Sequence, residues 1–274
     1  MFPYNPFTSP EHADFLLPGG KPAALLVHGF PGTPLEMRPL ANALHAAGWT
    51  CRGLLLPGFG PDIESLPTRR AGEWRDAILD ALTALGAEHA PLLLVGNSLG
   101  GALCLWAASR HPVDGLALLA PFWKLRGPLW ASLPLLKRLF PRVRPFRRMK
   151  LDFTDPQMRK GMAQFMPGMD LDDQRVRQAV RDFILPVGMF DEIRRAGAAG
   201  YRGAARVRCP VLVLQGERDE TVRPERTDRL VRRLAGTVTY RRVPAGHDLP
   251  FAEKPAYAEI CAALLDCAAS LVHR

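Results

Sequence analysis

The residues with the clearest chemical signature surround one serine. A Gly-x-Ser-x-Gly pattern centred on Ser98 follows an apolar run at residues 92–95 and leads into a stretch of helical character. Gly96 and Gly100, two positions to either side, let a strand turn sharply into a helix, which presents the hydroxyl above the sheet. The positive end of that helix then lies beside the hydroxyl. We therefore predict that Ser98 is a nucleophile.

Two other interpretations of this glycine-rich stretch are an ordinary turn and a phosphate-binding loop. A dinucleotide-binding loop has the pattern Gly-x-Gly-x-x-Gly, and a P-loop has Gly-x-x-x-x-Gly-Lys-Ser/Thr. Neither pattern occurs in residues 92–101. The context of a buried strand followed by a helix favours the nucleophile.

A serine hydroxyl needs a general base, and the base needs an acid that orients it. His247 lies in a Gly-His-Asp turn just after the last predicted strand and is the predicted base. His28, at the end of the first strand, is expected to shape the structure around it. The remaining histidines, His12 among them, fall in helices, helix ends or tails and are expected to be solvated.

The predicted acid is Asp219, in the Gly-Glu-Arg-Asp loop that follows another apolar strand. Glu217 is its competitor, but it lies closer to the strand end. Asp248, adjacent to the base, is expected to point elsewhere. The predicted triad is therefore Ser98, Asp219 and His247 in chain order.

Acyl transfer also needs backbone amides that stabilise the developing oxyanion. Residues 27–32, Val-His-Gly-Phe-Pro-Gly, form a glycine-flanked turn at the end of the first predicted strand. The amide of Phe30 is expected to face the amide of Leu99, whereas Pro31 has no amide to offer. We predict Phe30 and Leu99 as the oxyanion donors, and the Phe30 ring is equally suited to lining a pocket.

The elements that must position these residues alternate along the chain. Short apolar runs bounded by Gly and Pro alternate with amphipathic helix-length stretches, which predicts a mostly parallel central sheet flanked by helices. Most runs are apolar throughout, as expected for strands covered on both faces. The predicted strands are residues 23–27, 50–55, 92–95, 115–119, 211–215 and 237–243.

Two helix starts have sequence signals of their own. Thr33 and Glu36 match a capping box, with Pro34 at the first helical position of a helix to about residue 47. Thr68 is the predicted N-cap of a second helix that ends before Gly86. Further helices are predicted at residues 99–109, 224–234 and 255–272.

Residues 121–208 interrupt the alternation, because they contain no convincing strand and four helix-like pieces at residues 129–140, 156–166, 171–185 and 187–201. We predict a helical cap inserted after the fourth predicted strand, with residues 1–120 and 209–274 forming the core. Such a segment is too long for a plain loop. Candidate substrate-binding residues, which packing of the cap explains equally well, are Phe122, Trp123, Trp130 and Leu133.

Composition limits the class of protein. The chain has 274 residues, 47% of them apolar and 23% charged, which is typical of a globular protein. It contains no apolar run near the roughly 20 residues of a membrane-spanning helix and no signal peptide at its start, so we expect a cytoplasmic protein without stable membrane insertion. The net charge of +9 bears on solubility and non-specific attraction. We expect no nucleic-acid partner.

Four motifs taken together resemble the α/β-hydrolase superfamily: His-Gly-Phe-Pro-Gly, Gly-Asn-Ser-Leu-Gly-Gly, Gly-Glu-Arg-Asp and Gly-His-Asp. Residues 26–34 and 37–40 resemble bacterial carboxylesterases and monoacylglycerol lipases more narrowly. The resemblance covers residues 22–119 and 209–265 and implies an α/β-hydrolase fold. Three features depart from those esterases: Phe59 in place of His between two glycines, a larger cap, and leading antiparallel strands that are missing or shortened.

The resemblance implies a serine hydrolase that cleaves carboxylic esters, either small to medium acyl esters or monoacylglycerols, through an acyl-enzyme. It implies a small-molecule ester substrate and neither a metal nor another cofactor. Asn97 also resembles carbon–carbon bond hydrolases, so a carbon–carbon or amide bond hydrolase with the same triad is the alternative. A catalytically silent ligand-binding protein is a third possibility, although no triad residue is missing. The oligomeric state stays open.

Overall fold

A seven-stranded sheet organises the molecule, whose computed structural model describes residues 7–125, 127–144, 146, 149–165, 170–182 and 184–272. Its strands are β1 (Phe15–Leu17), β2 (Ala23–Val27), β3 (Thr50–Leu54), β4 (Leu92–Asn97), β5 (Gly115–Leu119), β8 (Val211–Gly216) and β9 (Val238–Val243). A separate pair, β6 (Arg142–Val143) and β7 (Leu185–Pro186), lies within residues 121–208, the predicted insertion. The order in the sheet is β1-β3-β2-β4-β5-β8-β9.

The sheet is parallel except at one edge. β1 pairs antiparallel with β3, and each of the other neighbouring pairs is parallel. Every residue of β2, β4, β5 and β8 is buried, which explains why their sequences are apolar almost throughout. The prediction of a mostly parallel sheet is confirmed.

Helices cover both faces of this sheet. The helices of the described residues are α1 (Arg38–Ala46), α2 (Ala71–Gly86), α3 (Leu99–Ala108), α4 (Pro128–Leu139), α5 (Pro156–Phe165), α6 (Gln174–Arg181), α7 (Val187–Gly203), α8 (Pro224–Val231) and α9 (Tyr257–Val272). Apolar residues of α1 and α9 fill the core on one face, and those of α2, α3 and α8 fill the core on the other. Within the described ranges, no helix is long and apolar enough to cross a membrane.

Three short strands were not predicted. β1 precedes the parallel strands and pairs antiparallel with β3, where its Phe15 ring packs on Gly53. β6 and β7 lie in the insertion, which was predicted to contain no strand. Strands of two or three residues are too short to show the two-residue alternation that identifies a strand in a sequence.

The predicted capping box at Thr33 is wrong. Thr33 makes no capping hydrogen bond, because its hydroxyl pairs with Nδ1 of His12 at 2.9 Å. Glu36 instead points toward Gly29 and Asn97, and Pro34–Met37 forms a 3-10 turn before α1. The expectation that His12 is solvated is also wrong, since that residue is buried.

The predicted N-cap at Thr68 is wrong as well. Thr68 ends a 3-10 segment, Gly60–Thr68, and its hydroxyl donates to the carbonyl of Ser65 at 2.7 Å. α2 begins three residues later, and the Glu73 carboxylate accepts the Arg70 amide at 2.8 Å. Thr68 therefore closes a local turn and does not cap α2.

The last helix of the insertion packs tightly on the core helix α3 through glycines. A Cβ added to Gly200 of α7 would lie 2.2 Å from the carbonyl oxygen of Ala102, and one added to Gly203 would lie 2.8 Å from Oγ of Ser109. The backbones of α3 and α7 therefore touch. The division into a core and a cap at residues 121–208 stays a prediction, and both α7 and Pro121 of that range are in direct contact with α3.

A buried carboxylate connects the insertion's first and last helices. Asp191 of α7 is 1% exposed and forms ion pairs with Lys137 of α4 and with Arg194, the latter at 2.8 Å. A buried charge is tolerated only when it is paired in this way. Asp191 thereby joins α4 to α7.

We expect Gly200→Ala to destabilise the protein, because the added methyl would force α7 away from α3. Overpacking of this kind costs about 1–3 kcal/mol. The matched control is Gly188→Ala, in the same helix, where an added Cβ meets nothing within 4 Å; we expect it to be neutral or stabilising by about 0.5–1 kcal/mol. Urea unfolding of both variants measures this, and equal stabilities would contradict the close contact.

Candidate active site

The turn between β4 and α3 has the geometry expected of a nucleophile elbow. Ser98 has φ +49° and ψ −111°, a strained conformation for a residue with a side chain. A Cβ on Gly96 would lie 2.7 Å from the Gly100 carbonyl, and one on Gly100 would lie 2.3 Å from the Val27 carbonyl. The structure thus confirms that both flanking glycines are needed for the turn.

The structure brings the three residues of the predicted triad together. Nε2 of His247 lies 2.9 Å from Oγ of Ser98, and Nδ1 of His247 lies 2.7 Å from Oδ2 of Asp219. Because a carboxylate accepts hydrogen bonds only, the proton of a neutral imidazole belongs on Nδ1. Nε2 is then free to accept the proton of the serine hydroxyl.

Four donors hold the Asp219 carboxylate, two of them amides of the loop after β8. Its Oδ1 accepts the amides of Thr221 and Val222 at 2.9 and 2.8 Å. Its Oδ2 accepts Nε2 of the buried Gln215 at 3.2 Å in addition to the His247 ring. The orientation of this acid is therefore fixed before any substrate binds.

Neighbouring acids are directed elsewhere. The Glu217 side chain is exposed, and Asp248 forms an ion pair with Lys254 at 2.8 Å. Desolvation opposes ionisation of Asp248, but its hydrogen bond with Lys254 lowers the pKa of that carboxyl. Asp219, buried and bonded to the imidazole, is the carboxylate in contact with His247.

The turn after β2 lies directly against the elbow. A Cβ added to Gly29 would be 3.2 Å from Cβ of Ser98, so the Gly29–Phe30 backbone borders the serine side chain. Leu99 is the first residue of α3, and its amide therefore has no acceptor within the helix. The two predicted oxyanion donors belong to segments that meet at Ser98.

His28 stabilises that turn as a neutral ring. Its Nε2 accepts the amide of Leu56 at 3.1 Å, so Nδ1 carries the proton and donates to the carbonyl of Gly29 at 2.8 Å. Complete burial lowers the pKa of His28 to about 4. Phe59, the residue that departs from the esterase pattern, is fully buried and packs edge-on against the His28 ring at 5.0 Å and against Phe30.

Sequence reasoning missed a side-chain bridge beneath this turn. Oε1 of Glu36 accepts the Gly29 amide at 2.6 Å and Nδ2 of Asn97 at 2.9 Å. Desolvation by burial raises the pKa of the Glu36 carboxyl, although these hydrogen bonds and the nearby His247 oppose the shift. In the sequence, Glu36 stands three residues after Thr33. This spacing matches a capping box, so Glu36 was interpreted as part of a local cap and not as a partner of Gly29 and Asn97.

The four candidate substrate-binding residues have different surroundings. Phe122 and Leu133 are buried, and the Phe122 ring meets that of Trp130 edge-on at 5.6 Å. Trp123 stacks on Tyr201 at 4.2 Å and donates its indole N–H to the carbonyl of Arg226 at 3.1 Å. These contacts favour a packing role for Trp123.

Phe30 connects the turn to α7. Its ring packs edge-on against Phe190 with 6.2 Å between the ring centroids.

In the part of the chain that the structure describes, no group of three or more His, Cys, Asp or Glu residues is placed to hold a metal ion.

Comparison with known proteins agrees with this geometry. The sequence model of the alpha/beta hydrolase family matches residues 24–259. The chain therefore belongs to the alpha/beta hydrolase family. A structure described as LipS and LipT, two metagenome-derived lipolytic enzymes, superposes with a TM-score of 0.74 at 20% identity, covering 95% of this chain and 98% of that one. The predicted α/β-hydrolase fold is confirmed.

Two curated proteins are more similar in sequence over shorter segments. A thermostable monoacylglycerol lipase of Bacillus sp. (strain H-257) is 36% identical over 98 residues, which are 36% of this chain and 39% of that protein. A carboxylesterase of Bacillus subtilis (strain 168) is 31% identical over 103 residues, which are 37% of this chain and 42% of that protein. The matched segments thus span about two fifths of each relative's length. The resemblance to lipases and carboxylesterases is confirmed.

We expect the stability of the protein to fall between pH 7 and pH 5 in a manner that depends on His28. In the unfolded chain the pKa of His28 is near 6.5, whereas in the folded protein it is about 4. The stability that the neutral His28 ring contributes is therefore complete above pH 6.5 and is lost as the pH falls toward 4. The loss from pH 7 to pH 5 is about 2 kcal/mol. Urea unfolding at both pH values measures it.

The control for this prediction is a histidine in a less buried position. His28→Gln is expected to remove that part of the pH dependence, whereas His111→Gln, at a partly exposed histidine, is expected to preserve it. An unchanged pH dependence in His28→Gln would show that another group is responsible.

Proposed function

We propose that this protein is a serine hydrolase that cleaves carboxylic esters through an acyl-enzyme intermediate. The observation that carries the proposal is the continuous hydrogen-bonded chain from Ser98 through His247 to Asp219. A serine hydroxyl is a weak nucleophile at neutral pH, and an oriented imidazole within 2.9 Å is the group that activates it. The names of the two Bacillus relatives support esters as the substrate class.

The proposed first half of the reaction forms the acyl-enzyme. Oγ of Ser98 attacks the ester carbonyl carbon while Nε2 of His247 takes the hydroxyl proton, and Asp219 stabilises the resulting imidazolium. The tetrahedral intermediate collapses as the carbon–oxygen bond to the alcohol breaks, and His247 returns its proton to that alcohol. In the second half, water replaces Ser98 by the same proton transfers, releasing the acid and the free serine.

The proposed oxyanion donors are the amides of Phe30 and Leu99. Both belong to segments that touch Ser98, and the N-terminus of α3 adds a partial positive charge at the same place. Donors of this kind contribute about 100- to 1,000-fold each in turnover.

The acyl group is proposed to occupy the aromatic side of the site. Phe30 and Phe190 provide one wall, and Phe122, Trp130 and Leu133, which come from the insertion, are the proposed remainder. The similarity to a monoacylglycerol lipase and a carboxylesterase supports small to medium acyl esters or monoacylglycerols as the proposed substrates. Trp123 is left out of this wall because its ring is engaged by Tyr201 and Arg226.

We expect Ser98→Ala to abolish hydrolysis of aryl esters without loss of the fold. Removing a triad nucleophile costs about a million-fold in turnover. An aryl phosphonate followed by intact-mass and peptide analysis should label Ser98 in the wild-type protein and nothing in the variant. Retention of more than a few per cent of the activity would contradict the assignment. A vinylogous diketone, included beside the esters, tests for a carbon–carbon bond hydrolase.

We expect Asp219→Asn to be far more damaging than Glu217→Gln. An asparagine at position 219 favours the wrong imidazole tautomer, and the analogous change in a serine protease lowers turnover about 10,000-fold. Glu217 is two residues away and exposed, so the same loss of charge there should leave kcat unchanged. Steady-state kinetics on one aryl ester compares them; equal activities would remove Asp219 from the mechanism.

A further inference from the structure

One carboxylate oxygen of Glu36 joins the segment of Gly29 to the segment of Asn97. The proposed chemistry needs these two segments at a fixed distance from each other. The amide of Gly29 and the side-chain amide of Asn97 both donate to Oε1 of Glu36, at 2.6 and 2.9 Å. Gly29 immediately precedes Phe30, and Asn97 immediately precedes Ser98 and Leu99. We call this set of two hydrogen bonds the Glu36 bridge.

The Glu36 bridge is built rigidly. Glu36 lies in the 3-10 turn Pro34–Met37, in which Pro34 and Met37 are buried. Its second oxygen packs so closely on Gly32 that a Cβ there would lie 2.0 Å away. The carboxylate therefore has little freedom to follow Gly29 or Asn97 if either moved.

Among the described residues, the Asn97 side chain forms its hydrogen bond with Glu36. The residue is 5% exposed, and its Oδ1 is buried without a hydrogen-bond partner among the described residues. Only its Nδ2 is engaged, with Glu36, across 61 positions of sequence. A buried amide that uses one of its two polar atoms in this way is not explained by general packing, since buried polar groups are normally satisfied.

We infer that Glu36 is a positioning residue that sets the spacing between the two oxyanion amides. It holds the Phe30 amide through Gly29 and the Leu99 amide through Asn97, so that both reach the same carbonyl oxygen in the transition state. This inference rests on the proposed function, because it concerns the oxyanion site of that reaction. Glu36 itself touches neither the nucleophile's oxygen nor the acyl group in this mechanism; it acts through the two segments it joins.

The inference predicts a loss confined to transition-state stabilisation. In Glu36→Ala both hydrogen bonds are lost, and we expect kcat on an aryl acetate to fall about 100-fold, the scale of one misplaced oxyanion donor. KM should stay within about three-fold, because the ground-state carbonyl depends less on those amides. The affinity for an aryl trifluoromethyl ketone, which forms a tetrahedral adduct, should weaken by a factor similar to the loss in kcat/KM.

Glu36→Gln tests whether the hydrogen bonds or the charge matter. Its carbonyl oxygen can accept from both Gly29 and Asn97, so we expect kcat within about ten-fold of wild type, a conservative rescue of Glu36→Ala. Asn97→Ala removes only one arm of the bridge, and we expect an intermediate loss in kcat. The double variant Glu36→Ala/Asn97→Ala should be no slower than Glu36→Ala alone, because the two residues act through one bridge.

The matched control is Glu73→Ala. Glu73 is also partly buried and accepts a backbone amide, that of Arg70 at 2.8 Å, but it serves the start of α2. We expect this variant to lower the melting temperature and to leave kcat unchanged. Melting temperatures of all variants are measured in parallel; if Glu36→Ala does not fold, Glu36→Gln and Asn97→Ala carry the same comparison.

The outcomes separate this inference from the proposed function. A wild-type protein that neither hydrolyses aryl esters nor reacts with the phosphonate at Ser98 would overturn the proposed function. An active wild type with Glu36→Ala and Asn97→Ala within about three-fold in kcat would overturn only the role of Glu36. A loss seen in KM alone, or additive losses in the double variant, would also overturn it.

Discussion

The site depends on one place where backbone meets backbone. Gly100 faces the carbonyl oxygens of Val27 and His28 so closely that an added Cβ would lie 2.3 and 2.5 Å from them. This contact forces the start of α3 against the end of β2 and brings Ser98 beside the Gly29–Phe30 turn. Any side chain larger than a hydrogen would separate the two segments. The loops after β8 and β9 start at the carboxyl ends of their strands. Since parallel strands all have their carboxyl ends on the same side of the sheet, both loops reach Ser98 without a long connection.

Much of this arrangement could be predicted from the sequence. Strands buried on both faces have sequences that are apolar almost throughout, so β2, β5 and β8 were located to within a residue. Ser98, Asp219 and His247 each follow a predicted strand, and residues at the carboxyl ends of parallel strands meet at one edge. Their proximity therefore followed from topology, without any knowledge of side-chain contacts.

Two of the failed predictions, at Glu36 and at His12, share a physical reason. Glu36 had two possible sets of partners, a local amide at the start of a helix and a distant pair at Gly29 and Asn97. The spacing of residues along the sequence indicates only the local partner, the amide at the start of a helix. His12 failed likewise, because its partner Thr33 lies 21 residues away. Long-range polar pairs between segments depend on how the backbones are placed, so a hydrophobic pattern carries no information about them.

The contact between α3 and α7 has a consequence for redesign of the molecule. α7 carries Phe190 against Phe30 and meets the backbone of α3 at Gly200, so one wall of the proposed acyl site is packed directly on the helix that follows Ser98. In the outer segment, residues 124–186, an added Cβ on Gly127 would meet nothing within 4 Å, and α4 is joined to α7 by the ion pair of Lys137 with Asp191. A graft that exchanges this outer segment for one from another family member should therefore be cut before α7, leaving α7 and its glycines with the recipient.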